Sequence, residues 1–210
     1  MLKETAWKWI EENQDELIKV SDDVWGYAEY GLLEEKSSKR IADTLRKHGF
    51  RVKHGVAGMP TAITAEWGSG KPVIGFMGEY DALPGISNEA VPKLAPIKDK
   101  AFGHGCGHNI HGTSAMSAVI ATRYALEKNG QKATIRFYGT PAEENYQGKI
   151  FMVAAGLFDD VDACLSHHPG SLNVASLSSS TATIHAKFNY YGKTAHAAAN
   201  PEQGRSALDA

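Results

Sequence analysis

Apolar residues at helical spacing open the chain. Trp7, Ile10, Leu17, Val20, Val24 and Tyr27 recur between charged positions and predict helical structure through the first 30 residues, stopped at Gly31. A second helix is predicted from Ser37 to His48, with Ile41 and Leu45 on one face and Gly49 as its stop. The period then shortens. Phe50 to Val56, Thr61 to Trp67 and Val73 to Met77 have strand character, the last two separated by the turn sequence Gly68-Ser69-Gly70-Lys71-Pro72. A polar stretch from Glu79 to Gly107, carrying Pro84, Pro92 and Pro96, predicts a long functional loop. A helix rich in small residues follows from Asn109 to Lys128, then a strand Ala133 to Tyr138, a helix Lys149 to Phe158 and a strand Asp162 to Leu165. Helices alternating with apolar strands place the chain in the α/β class and predict a largely parallel sheet.

From about Ser176 the pattern changes. Thr181 to Tyr190 alternates apolar and polar residues like a half-exposed strand, and Pro201 to Ala210 reads as the opening of a helix. Residues 1–175 are therefore expected to form one domain and 176–210 the beginning of another.

Composition narrows the class. Lys and Arg number 22 against 24 Asp and Glu, a net charge of −2, so there is no basic stripe to hold nucleic acid. No apolar run approaches the roughly 18 residues of a membrane span, and Met1-Leu2-Lys3-Glu4-Thr5 lacks the apolar core of a signal peptide. The expectation is a cytoplasmic protein without a membrane or nucleic-acid partner. Two cysteines, Cys106 and Cys164, are too few for a disulfide framework.

Four polar clusters fall where strands end or a helix begins: Glu79-Tyr80-Asp81-Ala82-Leu83-Pro84, His104-Gly105-Cys106-Gly107-His108-Asn109-Ile110-His111, Thr140-Pro141-Ala142-Glu143-Glu144-Asn145 and Ser166-His167-His168-Pro169-Gly170. In open α/β sheets ligands bind outside the carboxyl ends of the strands, so these clusters can meet along one edge. Thiolate and imidazole suit zinc and related divalent ions. A single histidine at a helix entry is more often structural; three histidines and a cysteine within eight residues reverse that balance. Glu143-Glu144 alone would suit a solvated helix start. Beside a metal, one carboxylate can hold the ion and the other a water. Cys164, inside an apolar strand, reads as a buried small hydrophobe, and His48 and His54 as surface residues. His185 reads as structural. A nucleophilic Cys106–His dyad would leave the Glu and His pairs without work, and neither a GxSxG elbow nor a Walker loop is present.

These motifs resemble metallopeptidase family 20 in its aminoacylase-like branch, which includes hippurate, auxin-conjugate and aminobenzoyl-glutamate hydrolases. The resemblance rests on Asp81-Ala82-Leu83-Pro84, His104-Gly105-Cys106-Gly107-His108-Asn109, Pro141-Ala142-Glu143-Glu144, His168, Gly192-Lys193-Thr194-Ala195-His196-Ala197 and Gly204-Arg205-Ser206-Ala207-Leu208-Asp209-Ala210. It implies a three-layer α/β/α metallopeptidase catalytic domain followed by the start of a smaller α+β lid domain, through which the protein would form a homodimer. It implies two divalent metal ions, of manganese, zinc or cobalt, with Cys106, His108, Glu144 and His168 as ligands. Glu143 would be the general base, Asp81 a carboxylate that orients a ligand, and His196 a substrate-binding residue that polarises the scissile carbonyl in a neighbouring subunit. The substrate would be an N-acyl or aminobenzoyl amino acid or a small peptide. Glu79 stands where other branches carry a metal-binding histidine and is not assigned as a ligand. Family members run beyond residue 210 and draw another histidine ligand from there, so the alternative expectation is a catalytically incomplete fragment that serves only as a metal-binding or association module.

Overall fold

The computed structural model describes residues 1–210 except 176–178, 180, 185 and 210. They form two compact units, Met1–Ser171 and Leu172–Ala210.

In the first unit the opening helical stretch is two helices, α1 (Leu2–Glu12) and α2 (Gln14–Tyr27). Asn13 makes the break: its side-chain amide donates to the Trp9 carbonyl at 2.7 Å, competing with the helical pattern. The second helix ends at Ala28, which takes a left-handed conformation (φ 43°), ahead of the expected stop at Gly31. Helix α3 (Glu35–Lys47) begins where the Glu29 carboxylate accepts from the amides of Lys36 and Ser37 at 3.0 and 2.8 Å, satisfying donors that a helix start leaves free. Strands β1 (Arg51–His54), β2 (Ile63–Gly68) and β3 (Val73–Gly78) follow. The expected long loop contains a two-residue ladder, β4 (Leu83–Pro84) with β5 (Phe102–Gly103). Then come α4 (His108–Lys128), β6 (Thr134–Gly139), α5 (Gly148–Ala154) and β7 (Ala163–Ser166).

The main sheet has the order β1-β2-β6-β3-β7. Only β6, β3 and β7 run parallel; β1 pairs β2 and β2 pairs β6 antiparallel. The expectation of a largely parallel sheet is corrected to a mixed one. Apolar runs report burial, not strand direction, and the Gly68–Pro72 turn carries the chain past the slot that β6 later fills.

Side chains alternate across this sheet. Ile63, Ala65, Ile135 and Phe137 join Trp9, Leu17, Val20, Val24, Ile41, Leu45, Met116, Val119 and Ile120 in the main core beneath α1–α4. On the opposite face Tyr138 packs with Met59, Ala62 and Met152 of α5 and stacks on Phe158. The result is helix, sheet, helix. The last strand, β7, is paired on one side only and all four of its residues are exposed. Cys164 is therefore exposed, not buried as its apolar strand suggested. His48 is also corrected: it packs edge-on against Trp9 and meets Glu16. His54 is exposed.

In the second unit an antiparallel bridge joins Lys193 to Arg205, and Pro201–Gln203 makes one turn of 3-10 helix. The described residues of Thr181 to Tyr190 form no strand. An isolated strand leaves its backbone donors and acceptors unpaired, and no ladder forms beside this one among the described residues. His185 and Ala210 lie outside the described residues. The helix expected from Pro201 stops at Gly204, whose backbone is extended.

Candidate metal centre

The carboxyl ends of β3 and β7, the turn after β6 and the first turn of α4 converge. Two glycines permit the approach. A Cβ on Gly112 of α4 would lie 2.5 Å from the Glu79 carbonyl oxygen, and one on Gly78 would lie 2.9 Å from the Gly112 Cα. Helix backbone thus rests on strand backbone at the point where β3 ends. Because α4 begins at His108, His108 and His111 share one face of its first turn, three residues apart. Both are buried.

Asp81 fixes this arrangement from below. Its Oδ1 lies 2.9 Å from His108 Nδ1, and its Oδ2 accepts the Glu144 amide at 2.9 Å. Holding Nδ1 in this way leaves Nε2 of His108 to face the site. That Nε2 is 3.1 Å from Glu79 Oε2 and 3.9 Å from Glu144 Oε1. Neither His108 Nε2 nor Glu144 Oε1 makes a hydrogen bond, although both are cut off from solvent. Cys106 Sγ lies 3.4 Å from His168 Nε2. Ligand atoms of Cys106, His108 and His168 all fall within 4.8 Å of one another, as do those of Glu79, His108 and Glu143, and of Glu79, His111 and His168.

Of the residues picked from sequence, the structure brings together Cys106, His108, Glu143, Glu144 and His168, with Asp81 behind them. His167 turns aside, its Nδ1 3.4 Å from Ser114 Oγ. His196 belongs to the second unit, where its Nδ1 accepts the amides of Ala198 and Ala199 at 3.2 and 3.0 Å.

The electrostatics are those of a site short of positive charge. Burial opposes ionisation of Glu79, yet its hydrogen bond to His111 and the Lys149 ammonium beside it hold its carboxyl at about 2. Burial also works against the charged form of His108, but Asp81, Glu79 and Glu144 raise it above the usual histidine value. Glu143 is raised by burial and by Glu79. Burial and the neighbouring carboxylates push the Cys106 thiol up to about 11. An orphaned imidazole nitrogen facing an orphaned carboxylate oxygen, with a thiol and a second imidazole alongside, fits a divalent cation.

Residues 75–207 match the sequence family Peptidase family M20/M25/M40. The chain belongs to this family. Its relatives there include one of the two p-aminobenzoyl-glutamate hydrolase subunits of Escherichia coli, 44% identical over 96% of this chain and 42% of its own length. Xaa-Arg dipeptidase of Mus musculus is 32% identical over 100% of this chain and 48% of its own. The chain spans about half the length of these relatives. Among solved structures, a Bacillus subtilis protein described as a dinuclear metal-binding M20 peptidase superposes with a TM-score of 0.60 at 26% identity, over 73% of this chain and 42% of its own.

The sequence passed over Glu79, His111, Lys149 and Ser166, all of which the structure places at the M20 site. His111 Nδ1 contacts Glu79 at 2.9 Å, and its Nε2 lies 3.1 Å from Ser166 Oγ. A helix start set at His108 rather than Asn109 would have put both histidines on one face. Nothing local in the sequence marks Lys149, which reaches Glu79 from α5.

Proposed function

We propose that this chain carries the metal-holding half of an amidohydrolase site. The reaction is hydrolysis of the amide bond of an N-acyl or aminobenzoyl amino acid or a small peptide. Cys106, His108, Glu144 and His168 would hold two divalent ions, of manganese, zinc or cobalt, with Glu79 close enough to join them. The observation that supports this best is the facing pair of unpartnered atoms, His108 Nε2 and Glu144 Oε1, 3.9 Å apart. The overlapping three-residue clusters around Glu79, His108 and His168 leave room for more than one cation. Divalent ions in such a site supply Lewis acidity and lower the pKa of water toward roughly 7.

Glu143 is the general base. Its carboxyl is raised by burial and by Glu79, which favours accepting a proton. It removes one proton from the attacking water as the carbon–oxygen bond forms, then delivers it to the amine nitrogen as the carbon–nitrogen bond breaks. Asp81 holds the His108 ring and the Glu144 backbone in place. His196, from the second unit, would polarise the substrate carbonyl of a neighbouring subunit. A homodimer through residues 176–210 fits that role. So does an assembly of unlike subunits, because two separately named subunits of the Escherichia coli hydrolase are both relatives of this chain. Among the described residues no helix is long and apolar enough to cross a membrane. We place the reaction in the cytoplasm, and the composition gives nucleic acid no role in it.

Glu143→Gln and Glu144→Gln separate the two roles. The first is expected to keep its metal content, measured by elemental analysis, while turnover of acyl-amino acids falls by about 10²–10⁴-fold. The second is expected to lose metal. Absence of divalent metal from the unsubstituted protein, or full turnover by Glu143→Gln, would sink the reading.

A further inference from the structure

The chain buries one carboxylate whose partners are all neutral. Glu34 is fully buried in the segment between α2 and α3. Its Oε2 accepts the Thr61 hydroxyl at 2.7 Å, and its Oε1 accepts the backbone amide of Ala142 at 2.8 Å. Burying an ionisable carboxyl against a hydroxyl and an amide is costly. Leu or Gln of similar size would fill the same space without a charge, so packing alone does not account for Glu34.

Ala142 explains the choice. It is buried, and it sits in the left-handed region at φ 58°, which disfavours any residue with a side chain. Its carbonyl accepts the amides of Tyr146 and Gln147 at 3.0 and 2.7 Å, closing a turn over 142–147. Glu143 and Glu144 are the next two residues of that turn. Two carboxylates therefore pin its backbone: Glu34 through the Ala142 amide and Asp81 through the Glu144 amide. The Glu34 end is tied back to β3, since Tyr80, between Glu79 and Asp81, donates its buried hydroxyl to the Thr61 carbonyl at 2.6 Å.

We infer that Glu34 is a positioning residue, 108 positions upstream of Ala142, that holds the strained Ala142 turn so that Glu143 and Glu144 present to the metal centre. The inference rests on the amidohydrolase reading for what the turn presents, but the hold on the turn is testable by itself. Burial raises Glu34 to about 7, in keeping with a site that uses the carboxyl as an acceptor rather than as a charge.

Three variants and two readouts test it. Amide hydrogen exchange reports the turn directly, and absorbance titration with cobalt(II) reports the ligands. Glu34→Ala is expected to speed exchange over residues 140–147 selectively, leaving α4 and β6 protected, and to weaken cobalt binding by roughly 10–100-fold, as for other residues that orient metal ligands. Glu34→Gln keeps an acceptor for the Ala142 amide, and the Thr61 hydroxyl can rotate to accept from its amide. It should restore both readouts to within about 3-fold of the parent chain, a margin inside the usual scatter for one hydrogen bond. Thr61→Val removes one support of Glu34 and should give an intermediate loss. Two results overturn the inference: unchanged exchange at 140–147 in Glu34→Ala, or loss of protection spread evenly over the unit and not rescued by Gln, which marks a purely structural staple. If the parent chain binds no cobalt, the metal reading fails, and the exchange contrast still decides the role of Glu34.

Discussion

A single carboxylate, Asp81, sets two ligands at once. One oxygen faces His108 Nδ1 and the other accepts the Glu144 amide, so both partners require an acceptor. Asparagine has the same size but offers only one. In Asp81→Asn the side-chain amide must point either at the Nδ1 proton or at the Glu144 N–H, a donor against a donor. Affinity for manganese, followed by calorimetric titration, is expected to fall about 10–100-fold while the fold persists; an unchanged affinity would remove Asp81 from this role. Residues such as Asp81, Cys106 and Glu144 were legible because their motifs announce themselves locally. Glu79, His111 and Lys149 were not: each gains its meaning from a partner more than thirty positions away, and pairing at that distance leaves no trace in local spacing.

At the level of elements, the helix–strand crossing at Gly78 and Gly112 decides whether those residues meet. A methyl group at position 112 would sit 2.5 Å from the Glu79 carbonyl oxygen, which is backbone and cannot swing away. Gly112→Ala must push the first turn of α4 off β3, carrying His108 and His111 with it. Thermal or denaturant melts should show a loss of about 1–3 kcal/mol, the usual cost of overpacking, together with weaker metal binding. A variant as stable and as tightly metallated as its parent would show that the contact yields freely. The helices and most strands of the first unit follow from periodicity, because burial imposes it. The antiparallel half of the sheet does not, because strand direction depends on which neighbour a strand finds. The exposure of Cys164 escaped for the same reason: an apolar strand looks alike at the centre of a sheet and at its open edge.

For the whole molecule, that open edge has a consequence. One side of β7 offers unpaired backbone groups, and Leu165 at its end is 53% exposed. On the same α/β/α unit, Ile150, Phe151 and Val153 of α5 are also exposed. Free edges with apolar side chains recruit other strands, and natural sheets blunt them with lysine or proline. Here β7 reads Ala-Cys-Leu-Ser, with no such guard. The 210-residue chain is therefore expected to self-associate, with a sedimentation coefficient that rises with concentration. Leu165→Lys places a charge on the exposed edge, three residues before His168, and should shift the population toward monomer without altering cobalt affinity. The pair of readouts separates the edge from the metal centre. If Leu165→Lys weakens metal binding as well, β7 is positioning His168 and not merely exposed. If the parent chain sediments as a concentration-independent monomer, the edge is silent, and the reading of this chain as an association module loses its support.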